Sequence, residues 1–305
     1  MNTEKIDTHQ HIVPPFYRTW LQKNGIDAGG LPVPEWSVEG AISLMDDNDI
    51  RKGFLSVSTP GVHLGDNAEA RTKAREVNEF SAEIVDRYPS RFGYFATLTL
   101  PDVEGAVEEA RYAFEKLNAD GVVLLTNVRG EYLGDDKFSP LIEELNRQKA
   151  TVFIHPSELP CPPINGIPPY AADFLLDTTR AAISIARAGW LEKYPEVKFI
   201  LSHAGGFVPF AAERIAHTVS DDGSNKKGIE RLRKFYFDTA LSGSPYALSS
   251  LLTFADHSRI TFGSDWPYAT KERSTYFTSL LARYDMDDIL REKIYHVNAS
   301  KLFSR

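Results

Sequence analysis

The chain has 305 residues, and its 34 basic and 42 acidic side chains leave a net charge of −8. A composition of 42% hydrophobic and 25% charged residues is that of an ordinary soluble globular protein, long enough for one large core or two domains. The acidic excess argues against nucleic acid and anionic membranes as partners, and the lone Cys161 excludes an internal disulfide or a multi-cysteine metal site. No run of eighteen apolar residues occurs, and residues 1–6 are too polar for a secretory leader, so a cytoplasmic protein is expected.

Short β-branched and aromatic runs recur at even spacing: 5–11, 54–59, 92–100, 121–126, 151–155, 198–203, 235–239 and 260–264. Amphipathic stretches such as 74–88, 103–117 and 138–148 lie between them. Alternation of this kind predicts βαβ units and a parallel sheet. Runs such as Val122-Val123-Leu124-Leu125 are apolar throughout, as strands covered on both faces should be. Eight units fit an α/β fold of the (β/α)8 barrel type, and with no compositional break we expect one domain over 1–305. The proline-rich stretches 12–35 and 157–173 each follow a strand, which places both on the barrel's C-terminal face, where barrel active sites lie.

His9 and His11 end the first run, and positions i and i+2 of a strand share a face. Two histidines in such an arrangement are also compatible with an ordinary hydrogen-bonded core pair. Their surroundings favour chemistry: His155 ends the fifth run, His203 the sixth, and Asp265 follows the eighth. Titratable groups at the ends of apolar strands are costly unless paired or coordinated, and in a barrel those ends converge. Three neutral imidazoles and a carboxylate suit one divalent ion, zinc first and manganese as the alternative. We assign His9, His11, His155 and Asp265 as ligands, which leaves a position for water or substrate. His203 is then free to move a proton, with a ligand role as its alternative.

Asp7-Thr-His9-Gln-His11, Phe153-Ile-His155-Pro156, Leu201-Ser-His203-Ala-Gly-Gly206 and Gly263-Ser-Asp265-Trp-Pro267 together resemble the motif set of the amidohydrolase superfamily. The similarity is to its aminocarboxymuconate semialdehyde decarboxylase-like group and runs end to end, to Asn298-Ala-Ser-Lys-Leu-Phe303. It implies a distorted (β/α)8 barrel with one divalent ion, the same four ligands, His203 as the catalytic histidine, and often a homodimer. Ser58-Thr-Pro-Gly-Val62, Ala119-Asp-Gly-Val-Val-Leu124 and Phe174-Leu-Leu-Asp-Thr-Thr-Arg180 are similar to the 6-methylsalicylate decarboxylase-like members. One departure stands out. The arginine with which that group's namesake holds a second substrate carboxylate has no counterpart between Trp36 and Asp46, where Ala41 or Ser43 falls.

The expected reaction is therefore metal-dependent, non-oxidative decarboxylation of a small aromatic monocarboxylate, an o-hydroxybenzoate, with Asp265 or His203 delivering the proton. The alternative is a mononuclear hydrolase of a lactone or amide. The fourth strand ends Leu124-Leu125-Thr126 without the lysine that would bridge two metals, which disfavours a binuclear one. A binding protein on a barrel scaffold is the non-enzymatic alternative. Arg180 is a candidate fork for a substrate carboxylate, or else a partner of Asp177 one turn earlier. Trp266 and the aromatics Phe16, Tyr17, Trp20, Trp36 and Tyr268 could pack a ring or simply the barrel top. Asp7 is expected to hydrogen-bond inside the barrel, and Asp238 to orient a ligand or cap a loop. His63, His217, His257, His296 and Cys161 carry no assigned role. Walker, G-x-G-x-x-G and G-x-S-x-G elements do not occur, which argues against nucleotide binding and serine-esterase chemistry.

Overall fold

A computed structural model describes residues 4–304; positions 1–3, part of the polar start noted above, and the last position lie outside the described residues. Seven strands pair in parallel and in chain order: β1 (Lys5–His11), β2 (Ile50–Ser56), β3 (Phe92–Thr97), β4 (Gly121–Leu125), β5 (Thr151–His155), β6 (Lys198–Leu201) and β7 (Tyr236–Phe237). Residues 260–264 make the eighth side. Ile260 bridges Phe237 and Phe262 bridges Asp7, both in parallel. Thr261 N–H donates to the Phe237 carbonyl at 2.8 Å, and Thr8 N–H to the Phe262 carbonyl at 2.9 Å. These bonds close the sheet on itself, which is the barrel that the alternation of strands and helices predicts.

The strands are shorter at their C-terminal ends than their apolar runs suggest. β2 starts at Ile50 rather than 54 and stops at Ser56, β3 stops at Thr97, and only two residues of 235–239 pair regularly. Past these points the backbone turns to serve the site, with positive φ at Leu241 (51°) and Asp265 (62°). The helix expected over 74–88 begins earlier, as Asn67–Arg87, because the Asp66 carboxylate caps it by accepting from Glu69 N–H at 2.7 Å. A nine-residue helix, Pro15–Lys23, occupies part of the stretch expected to be irregular, with proline at its first position.

The barrel interior is layered. Ile6, Phe54, Phe95, Val123, Phe153 and Ile200 fill its lower part, against Ala299 from the C-terminal helix. Phe303 stacks on Phe54 at 4.0 Å, and Phe95 on Phe153 at 5.6 Å. A register irregularity in β1, where Asp7 pairs with Gly53 but Gln10 with Leu55, breaks the two-residue period. Ile6 therefore packs in the lower layer while His9, an odd number of residues on, sits above it with its ring 4.8 Å from Phe153. Closure of the ring depends on Gly263. A Cβ there would lie 2.8 Å from the Cβ of His9 and 3.0 Å from that of Ala240. Gly263→Ala is expected to destabilise the protein by about 1–3 kcal/mol through overpacking; an unchanged melting temperature would show that the ring opens there freely.

Candidate metal centre and active site

Three histidines, His9, His11 and His155, are delivered by strands and aimed by what their Nδ1 atoms touch. His9 Nδ1 lies 2.7 Å from Asp238 Oδ2, His11 Nδ1 lies 3.2 Å from the Ser56 carbonyl, and His155 Nδ1 lies 2.9 Å from the Pro156 carbonyl. Carbonyls and carboxylates only accept, so in the neutral form of each of these rings the proton is on Nδ1 and the Nε2 lone pair is bare. Ser56 Oγ, 3.1 Å from His11 Nδ1, can accept as well, because its own proton goes to the Gln10 carbonyl at 3.3 Å.

Those lone pairs converge on a carboxylate. His9 Nε2 is 3.1 Å from His11 Nε2, and Asp265 Oδ1 is 3.0 Å from the first and 3.1 Å from the second. His155 stands 5.2 Å from His9 and 4.8 Å from His11, ring centre to ring centre. His203 Nε2 is 3.5 Å from Asp265 Oδ2. Ligand atoms of His9, His155, His203 and Asp265 all fall within 4.8 Å of one another, so the structure contains a metal-binding site. Bare lone pairs facing each other at 3.1 Å in a buried pocket repel unless a proton or a cation lies between them. The donor set thus fits a divalent ion by its own chemistry.

The electrostatics agree. Burial alone would push His9 down, but the Asp238 and Asp265 carboxylates at its two nitrogens outweigh it and hold its pKa at about 10. Burial lowers His11 and His155, the latter further through its histidine neighbours. Asp265 stays well below the usual carboxylate range, because the surrounding imidazoles overcome the burial that would raise it. Asp7 is fully buried, which raises its pKa to about 7 against the N–H groups of Ser264 and His9 at 3.0 Å each. It hydrogen-bonds inside the barrel, as expected. Asp238 both orients a histidine and caps a loop: beyond His9, its Oδ1 accepts from the N–H groups of His203 and Ala240 at 2.9 Å.

Above the cluster opens a cavity of about 750 Å³ that His155, His203 and Asp265 line together with Phe174, Tyr268 and Phe277. The Tyr268 hydroxyl is buried without a partner among the described residues. His203 (φ 52°), Ala204 (φ 57°) and Asp265 hold left-handed backbone at this floor. Strain of about 1–3 kcal/mol per residue is typical of functional sites.

Several sequence expectations need correction. Arg180 sits within the helix Asp173–Arg187, on an exposed face, with Nη1 3.4 Å from the Tyr132 hydroxyl, and it does not line the cavity. Nor does it pair with Asp177, whose carboxylate is taken up by other donors. Trp266 is buried away from the cavity, its ring 3.4 Å from where a Cβ on Gly40 would lie. Ala41 is buried in helix packing and Ser43 Oγ accepts from Lys271 Nζ at 2.9 Å, so neither faces the cavity. Tyr17 and Trp20 follow the packing alternative named for them, donating to the Gly61 carbonyl at 2.6 Å and to Glu69 at 2.9 Å. Two cavity residues have no role assigned from the sequence: Ser58, which opens a family-like motif and lies 3.4 Å from His155 Nδ1, and Arg273, whose guanidinium lies over Phe277 at the cavity wall. No motif or strand-end position marks Arg273.

Fold and site together define a (β/α)8 barrel with a metal-binding site at the ends of its strands. The model of the amidohydrolase family matches residues 6–305, and the chain belongs to that family. It is 37% identical to decarboxylase yanB of Aspergillus niger, over 99% of this chain and 88% of that one. It is 35% identical to the 6-methylsalicylic acid decarboxylase of Penicillium expansum, over 99% and 96%. A crystal structure described as an amidohydrolase II superposes with a TM-score of 0.94 at 31% identity, covering 99% of this chain and 100% of the other. Among the described residues no helix is long and apolar enough to cross a membrane.

In metal-free protein a proton on His9 must do part of what a cation does. A histidine whose folded pKa is raised adds stability that is complete below about pH 6.5 and is lost as pH climbs through about 10. The melting temperature of chelator-treated protein should therefore fall between those limits. Added zinc should restore it, since ion and proton compete for the same Nε2. A flat profile, or stability indifferent to chelation, would refute this account of the centre.

Proposed function

We propose that the protein is a metal-dependent, non-oxidative decarboxylase of a small aromatic acid of the o-hydroxybenzoate class, with 6-methylsalicylate as the representative substrate. The observation that carries the reaction class is the 35–37% identity, across 99% of the chain, to two proteins named as decarboxylases. Those relatives favour carbon–carbon cleavage over lactone or amide hydrolysis at the same centre.

On this reading His9, His11, His155 and Asp265 hold one divalent ion. Nitrogen and oxygen donors of this kind suit zinc first, with manganese as the alternative. When bound, the ion supplies a template and a Lewis acid for the substrate carboxylate and its neighbouring phenolic oxygen. The protein's own groups do the rest. Phe174, Tyr268 and Phe277 give the ring an apolar wall. His203 differs from the other three histidines in having a buried Nδ1 with no partner among the described residues. No acceptor fixes its tautomer, so either nitrogen can carry a proton, which supports a proton-moving role rather than a ligand's. His203 or Asp265 delivers that proton to the ring carbon bearing the acid group. The carbon–carbon bond then breaks, its electron pair returns to the ring, and carbon dioxide leaves. The homodimer expectation belongs to this proposal as well, with Phe210 and Tyr246 exposed at the cavity rim.

Purified protein loaded with zinc or manganese should release carbon dioxide from at least one member of a panel of salicylate-type acids, and a wholly silent panel sinks the proposal. His203→Asn should keep its metal, measured by elemental analysis, yet lose about 10²–10⁴-fold in turnover. Undiminished turnover would transfer the proton delivery to Asp265; lost metal would make His203 a ligand.

A further inference from the structure

Asp177 is a fully buried carboxylate outside the cavity lining and outside every role assigned above. Four groups converge on it. Ser157 N–H donates to Oδ2 at 2.9 Å, Asn127 Nδ2 lies 3.0 Å from both oxygens, Tyr132 hydroxyl donates to Oδ1 at 2.6 Å, and Thr126 hydroxyl donates to Oδ2. All are donors, so the site is built for the ionised acid even though burial pushes its pKa above the ordinary range.

The Ser157 N–H belongs to the same peptide unit as the Pro156 carbonyl, and that carbonyl accepts the Nδ1 proton of His155 at 2.9 Å. One peptide plane therefore has a carboxylate on its N–H side and an imidazole on its C=O side. A negative charge on the N–H side polarises the amide and places more charge on the carbonyl oxygen, because hydrogen bonds in a chain strengthen one another. A stronger acceptor at Nδ1 makes the opposite nitrogen, Nε2, a better electron donor. His9 receives this service directly from Asp238 at 2.7 Å. We infer that Asp177 is a positioning residue that sets the tautomer, orientation and donor strength of His155 through the Pro156–Ser157 peptide.

The network explains its neighbours. Thr126 Oγ1 lies 3.1 Å from Ser157 N–H and Thr126 N–H donates to the His155 carbonyl at 2.9 Å, so β4 and β5 are fastened on both sides of the histidine. Arg180, which does not line the cavity, touches the outer member of the same network, the Tyr132 hydroxyl.

The inference rests on the reading of His155 as a metal ligand, and His155→Ala tests that reading separately. If zinc affinity, measured by competition with a chromophoric chelator, is unmoved in His155→Ala, the ligand reading fails. The relay itself is tested with Asp177→Asn. Zinc affinity should fall about 10–100-fold, the range for partners that orient a ligand. The Nδ1–H resonance of His155 in the zinc-free protein should move upfield as its hydrogen bond weakens. If His155→Ala weakens zinc binding and Asp177→Asn only lowers the melting temperature, leaving affinity and resonance in place, Asp177 is a structural brace and the relay is overturned. Tyr132→Phe decides the matter if Asp177→Asn does not fold. Removing one donor leaves more charge on the carboxylate, so the His155 Nδ1–H resonance should move downfield; an unmoved resonance overturns the relay.

Discussion

The constraint on which the rest of the molecule depends is the meeting of bare nitrogen lone pairs and a carboxylate among buried side chains. Two Nε2 atoms 3.1 Å apart, with Asp265 Oδ1 within 3.1 Å of both, would not persist in a flexible chain. They persist because the barrel is closed. β1 is bonded to β2 on one side and to residues 260–264 on the other, so the His9 and His11 backbone cannot retreat from Asp265. The left-handed backbone at His203, Ala204 and Asp265 is the local cost of holding these groups inward, and the stacked rings beneath supply burial that offsets it.

A second layer of acceptors makes that meeting chemically specific. Without Asp238, Ser56 O and Pro156 O behind the three rings, each imidazole could turn its N–H toward the cluster and cancel the site. The acceptors come from different sources: a side chain on the seventh strand's exit, a backbone carbonyl at the end of β2, and a carbonyl one residue beyond the histidine itself. A carbonyl is a weaker acceptor than a carboxylate. The proposed link from Asp177 brings His155 nearer to the condition of His9, whereas His11, with Ser56 alone behind it, has no such carboxylate support.

The parts of this architecture visible in the sequence are those with a period or a position. Eight apolar runs predict the barrel, and titratable residues at the ends of four of them locate the cluster. Where the prediction failed, the information was not local. Arg180 has the fork that a carboxylate needs, yet the helix begins at Asp173 and its phase turns position 180 outward. Trp266 adjoins Asp265, but adjacent residues diverge, and its ring goes to the packing beside Gly40. The Asp177 network joins Thr126 just past β4, the hairpin of Asn127–Val128 with Glu131–Tyr132, the loop after β5 and a helix, four segments that share no pattern. The register irregularity in β1 is equally silent in the sequence, though it places Ile6 and His9 in successive layers of one interior.

On the proposed reading, the four histidines divide two tasks within a few ångströms. Where an acceptor fixes Nδ1–H, as at positions 9, 11 and 155, the ring has one tautomer and one available lone pair, the property a ligand needs. At His203 the carboxylate that might have served as that acceptor, Asp238, is spent on the backbone: its Oδ1 takes the His203 and Ala240 N–H groups while its Oδ2 faces His9. The His203 ring is thereby placed but not committed to a tautomer, with Nε2 toward Asp265 at 3.5 Å and Nδ1 unpartnered among the described residues. A ring held in position yet free to exchange its proton between nitrogens suits transfer to a carbon acid's ring in the cavity above. On the proposed reading, the division between holding a metal and moving a proton follows from which face of each imidazole the backbone leaves satisfied.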